Sequence, residues 1–107
     1  LQGRAFRVRG RLVEIHPDLD LPENPAGLES VYRLLVEHGS GTRRQRTVLL
    51  APFEAFAQRP RRDDEIVAEG IYLKIWTTTD ESGRLIHLPL LISPRVRTAA
   101  AVESEDR

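Results

Sequence analysis

Residues 66–96, IVAEGIYLKIWTTTDESGRLIHLPLLISPRV, read as strand, tight turn, strand. Val67, Ile71, Leu73 and Ile75 alternate with Tyr72, Lys74 and Trp76, the period of a half-buried strand. The first set is expected to face the core, the second to gather polar and aromatic groups on the opposite face. Asp80-Glu81-Ser82-Gly83 supplies the turn, and Leu85 to Ser93 the returning strand. Pro89 cannot donate to a ladder, so the second strand should be an edge or carry a bulge. Pro94 is expected to end it. A seam left open near Leu88 to Leu90 would let a partner strand add to the hairpin 66–93, with Tyr72, Trp76 and His87 nearby lending selectivity.

The upstream sequence supplies three more strands. Phe6, Val8 and Leu12 alternate with Arg7, Arg9 and Arg11, and then the apolar phase shifts to Val13 and Ile15. A slip near Gly10 is what a bulged, coiled strand shared by two halves of a barrel produces. Residues 17–30 form a loop with three Pro and four acids, long for a strand connection. Val31 to Glu37 and Arg46 to Ala51 read as a hairpin about a Gly-Ser-Gly turn. Pro52 then opens a short helical segment, Phe53 to Gln58; Pro suits a first helical position because its missing N–H needs no partner there. Phe53 and Phe56 share a face, and Pro60 closes the segment.

This order of elements resembles the OB (oligonucleotide/oligosaccharide-binding) fold. The expectation is an all-β, five-stranded Greek-key barrel over residues 1–98, with one short helix between the third and fourth strands, and a tail or linker stub over 99–107. A narrower likeness lies in Gly70-Ile71-Tyr72-Leu73-Lys74-Ile75-Trp76 followed by Leu88-Pro89-Leu90-Leu91-Ile92. It resembles a segment of uncharacterised bacterial proteins that are often membrane-associated. That likeness implies a domain of a larger bacterial protein, beside membrane-spanning segments or in the periplasm, and supplies no activity. The chain begins without Met and ends in Glu-Ser-Glu-Asp-Arg, which also reads as a domain cut from a longer protein.

Composition narrows the chemistry. Sixteen basic and sixteen acidic residues cancel over 107 residues, whereas nucleic-acid-binding domains carry a positive excess; the balance argues against nucleic acid as the main partner. Lys74 is the one lysine and the other basic residues are Arg, which a GC-rich genome produces and which also suits bidentate anion recognition. Without Cys there is no disulfide, thiolate metal site or Cys nucleophile. No apolar run approaches the ~18 residues of a membrane span, so no membrane insertion by this segment is expected.

No catalytic or metal motif stands out. His16, His38 and His87 lie in separate elements without ligand spacing. None of the serines sits in a nucleophile elbow. Asp18-x-Asp20 starts like a calcium loop and then fails, with Glu23 where Gly is needed. No cofactor is expected. The expected function is therefore a non-catalytic binding or assembly module whose partner is protein, either the rest of its own chain or an assembly partner. The alternative is a single-stranded nucleic-acid or oligosaccharide binder. Arg7, Arg9, Tyr72, Lys74, Trp76 and His87 are the candidate ligand-binding residues, because single strands are bound by aromatic platforms along a basic groove.

Overall fold

The computed structural model describes residues 4–18, 31–39 and 41–105. Five strands appear in order: β1 (Ala5–Asp18), β2 (Val31–His38), β3 (Gln45–Pro52), β4 (Glu65–Thr79) and β5 (Leu85–Thr98), followed by a short helix, α1 (Ala99–Glu105). They close into a barrel in the ring order β1-β2-β3-β5-β4. The expected five-stranded Greek-key barrel is thus present. The acidic stretch 18–24 and Ser40 lie largely outside the described residues.

β1 belongs to both halves of the barrel. Residues 5–11 pair with β4 and residues 11–18 with β2. The slip expected near Gly10 falls at Val13, an extra residue between the pairs Leu12↔Val36 and Glu14↔Leu35. Gly10 has its own reason to be small: a Cβ there would run into the Glu37 carbonyl oxygen and meet Val36 Cγ1 at 2.9 Å.

The inner core is built from alternate residues, among them Leu12, Leu34, Val36, Leu49, Ile66, Leu91 and Val96. One end of the barrel is closed by the segment after β3. It forms one 3₁₀ turn, Phe53–Ala55, and not the longer helix expected from Pro52. The three-residue spacing of Phe53 and Phe56 suits that tight turn. Both rings reach Tyr32, at centroid separations of 4.7 and 5.5 Å, and Phe56 then bridges to Val96 in extended conformation. Among the described residues the one α-helix therefore follows β5. Thr98 Oγ1 accepts the Ala101 amide at 3.1 Å and caps it, and Ala99 is buried.

β4 and β5 are longer than the barrel needs, and two irregularities correct the sequence reading of them. Ser93 and Pro94 loop out between the pairs Glu69↔Arg95 and Ile71↔Ile92. Pro94 therefore bulges β5 without ending it. Ser93, fully buried, shares its hydroxyl proton between the carbonyls of Glu69 and Arg95 at 2.7 and 3.1 Å. The second irregularity is an extra residue, Leu73, between Tyr72↔Leu91 and Lys74↔Leu90. An inserted residue exchanges the two faces beyond it. Trp76 consequently packs on the same cluster as Leu73, and Ile75 joins Tyr72 at the barrel mouth.

The expected core needs correction at three positions: in β4 it is Ile66, Ala68 and Tyr72 that reach the inner cluster, so Ile71 falls on the opposite face, while Phe6 and Ile75 lie out at the barrel mouth. Val8, Leu34, Val36 and Val67 are buried as expected, whereas Phe6, Ile71 and Ile75 are 39, 48 and 49 % exposed. Leu73 is half-buried in a second cluster. There Val31, Val48, Leu50 and Leu90 pack with Leu35, Trp76 and Leu88 between the outer face of β2–β3 and the β4–β5 arm. Pro89 pairs with Ile75, and the bulge expected beside it falls on the opposite strand, at Leu73. The parallel β3–β5 ladder spans Leu90 to Ile92, bounded on one side by the residue with no N–H to give.

Candidate binding cleft

The register of β1, β2 and β3 writes out a surface in rows. Arg11, Glu37 and Arg46 stand side by side, then Glu14, Leu35 and Val48, then His16, Arg33 and Leu50. The β4–β5 arm leans over this surface on its second apolar cluster. Between arm and sheet lies an open cleft of about 630 Å³. Leu35, Val48 and Leu88 give it an apolar floor; Trp76 stands in its wall; His16, Arg33 and Arg46 supply basic groups, and Glu14, Asp80 and Glu81 acidic ones. The Arg33 guanidinium carbon sits 5.7 Å from the Trp76 ring centroid, within cation–π range.

Asp80 is committed to its own turn. Its Oδ1 accepts from Ser82 Oγ (2.6 Å), Ser82 N (2.9 Å) and Arg84 N (3.0 Å). Those hydrogen bonds, Ser82's first, hold its carboxyl below the usual carboxylate range. A second groove adjoins the cleft and shares Arg46, Asp80, Ile86 and Leu88 with it; Glu37, His38, Arg44 and His87 line its further part.

The six sequence candidates do not form one face. Trp76 is in the cleft and half-buried. His87 is in the adjoining groove, its Nδ1 3.0 Å from Thr77 Oγ1. Arg7, Arg9 and Tyr72 line a separate apolar recess at the barrel mouth with Phe6, Ile75 and Pro89. There Arg9 is engaged by Glu65 at 2.8 Å and Glu103 at 3.5 Å, and Tyr72 packs edge-on against Phe6 at 6.4 Å. Lys74 is exposed on the arm. Sequence reasoning did not single out Arg33 for the cleft. The alternation of Arg33 with Leu34 was visible, but its meeting with Trp76 depends on the Leu73 bulge.

Among the described residues no three His, Asp or Glu side chains converge as a metal site, and no helix is long and apolar enough to cross a membrane.

Two further carboxyls are displaced. Partial desolvation raises that of Glu37, but hydrogen bonds from Arg46 and Arg11, with the charges of Arg11 and Arg44, outweigh it and hold the group low. The hydrogen bond and charge of Arg9 lower Glu65. A carboxyl whose folded pKa lies below its unfolded one stabilises the fold fully above the unfolded value, near pH 4.3 for Glu. That stabilisation is lost as pH falls through the folded value. The melting temperature should therefore drop as pH is lowered below about 4, and less steeply in Glu37→Gln. The arginines of these pairs are exposed to solvent, which screens them, so the difference should be small. Equal slopes in melts of the two proteins would show that the Glu37 pairings add nothing.

Comparison with known proteins places the fold. No family model matches the sequence, and no curated protein does. Among solved structures, the mitochondrial single-stranded DNA binding protein Rim1 of S. cerevisiae superposes with a TM-score of 0.61 at 9 % identity, over 92 % of this chain and 97 % of that one. The SSB domain of a Synechococcus sp. protein gives 0.55 at 19 % identity, over 87 % and 92 %. At these identities the likeness establishes the fold, an OB barrel. The resemblance to membrane-associated bacterial proteins gains no support from these matches.

Proposed function

We propose that this domain binds single-stranded nucleic acid, without catalysis, in the cleft between the β1–β3 face and the β4–β5 arm. One observation carries the reading: the chain's single Trp stands in an open groove, beside an Arg guanidinium and above an aliphatic floor. A base has a π-face for Trp76, and its phosphate a charge for Arg33 and Arg46. The solved OB domains named above supply the precedent: Rim1 is a single-stranded DNA binding protein and the Synechococcus chain an SSB domain. The choice favours the alternative reading of the sequence over an assembly module, because the aromatic and basic groups meet in an open cleft.

Zero net charge sets the style of binding. Few phosphates can be neutralised, so stacking must contribute much of the affinity and salt little. The dissociation constant for decathymidylate is expected near 10⁻⁵ M at 0.15 M salt, inside the ordinary non-specific range. The slope of log affinity against log salt should be about −0.7 per phosphate engaged, for two or three phosphates. Trp76 is the only Trp, so quenching of its emission reads the cleft directly. Saturable quenching with that modest slope is the expected result. No quenching up to about 1 mM, well beyond the non-specific range, would refute the reading.

A further inference from the structure

Three arginines converge on one carboxylate at the end of the cleft. Arg11 from β1 and Arg44 from just before β3 lie 3.5 and 3.7 Å from Glu37 Oε1, and Arg46 from β3 lies 3.3 Å from Oε2. The cross-strand register Arg11↔Glu37↔Arg46 puts two of them directly beside it. The carboxylate is largely covered, its side chain 14 % exposed, while those of Arg11, Arg44 and Arg46 are 48, 65 and 45 % exposed. Arg11 has a second partner in Asp63. Among the described residues Arg44 and Arg46 have no other ion-pair partner, and Arg46 also lines the cleft. A guanidinium fork accepts a phosphate as readily as a carboxylate.

We propose that Glu37 is an internal competitor for phosphate. Its carboxylate occupies the anion position of a site formed by Arg11, Arg44 and Arg46, and so holds down the affinity of the adjoining cleft for single-stranded nucleic acid. The effect on nucleic acid rests on the function proposed above; the anion site itself does not.

The same substitution tests both parts. Glu37→Gln keeps the size and the hydrogen-bonding reach of the side chain and removes its charge. In the ¹⁵N-labelled variant, inorganic phosphate should shift the Arg11, Arg44 and Arg46 Nε–Hε signals saturably, at concentrations about tenfold below any response of the wild type. Decathymidylate should bind the variant about tenfold more tightly at low salt, with the salt slope steeper by about 0.7 for each phosphate added. Adding Arg44→Gln, a change at an exposed side chain, should reverse both gains. Should Gln disturb folding, Glu37→Asn repeats the test.

A folded variant whose arginine signals answer phosphate as the wild type does would overturn the proposal. So would oligonucleotide affinity and salt slope unchanged from a wild type that binds. Phosphate binding to the variant with no oligonucleotide binding by either protein would uphold the anion site and reject the nucleic-acid reading instead.

Discussion

Leu34→Ala is expected to remove about 2–5 kcal/mol of stability, the range for truncating a fully buried leucine. Leu34 has no exposed surface. It lies in the middle of β2, paired with Ile15 on β1 and Leu49 on β3, and packs in the inner cluster that holds the barrel together. Neighbours in a closed ring of strands have little room to collapse into the space it leaves. A domain of this size holds about 5–15 kcal/mol in all, so one truncation should shift a urea midpoint strongly. Leu73→Ala provides the comparison. That side chain is half-buried in the outer cluster under the β4–β5 arm, and its loss should cost less than about 2 kcal/mol, because solvent already reaches it. Equal costs for the two substitutions, or a loss under about 1 kcal/mol for Leu34→Ala, would contradict the division into an inner and an outer core.

That division also marks where sequence reading stopped. The barrel was legible because turns, strand lengths and the slip in β1 are local signals. Leu34, Val36 and Val8 alternate with charged or half-exposed neighbours and are buried as expected. Ile71 and Ile75 follow the same alternation and are exposed. In β4 it is Ile66, Ala68 and Tyr72 that reach the inner cluster, and the extra residue at Leu73 exchanges the faces before Ile75; apolar composition gives no sign of either. Ser93-Pro94 was read as an ending for a related reason: a Pro can close a strand or sit in a bulge, and only the facing strand decides. The 53–58 segment had the residues of a helix start, but its two Phe rings are drawn to Tyr32, and that contact, distant in sequence, limits it to one 3₁₀ turn. The candidate site divided along the same lines. Trp76 was legible as an aromatic on a long hairpin. Arg33 was not, because an arginine on an outer face looks the same in sequence whether it faces bulk water or a groove.

Trp76→Leu is expected to weaken decathymidylate binding by about 1–3 kcal/mol, roughly five- to 150-fold, the usual worth of one base stacked on an aromatic ring. Leucine retains an apolar contact with Leu35, Leu73 and Leu88, so the arm keeps its seat on the sheet, and the aromatic face is what disappears. The variant also loses the Arg33 contact, worth about 0.5–1 kcal/mol at an exposed site, and this should appear as a slightly lower melting temperature. Trp76→Phe separates the two effects: it retains a π-face and should recover much of the affinity without restoring the full packing volume. Because both variants lack the fluorophore, binding is followed by anisotropy of a labelled oligonucleotide, well below the melting temperature. Arg7→Gln serves as the contrast. Arg7 lines the recess at the barrel mouth, away from the cleft, and its neutralisation should alter affinity less than twofold at 0.15 M salt, where charges more than about 8 Å apart are largely screened. If Trp76→Leu binds as the wild type does while Arg7→Gln loses affinity, the strand runs over the barrel mouth and the cleft is not the site. If Leu and Phe at position 76 weaken binding equally, packing of the arm, and not stacking of a base, is what Trp76 contributes.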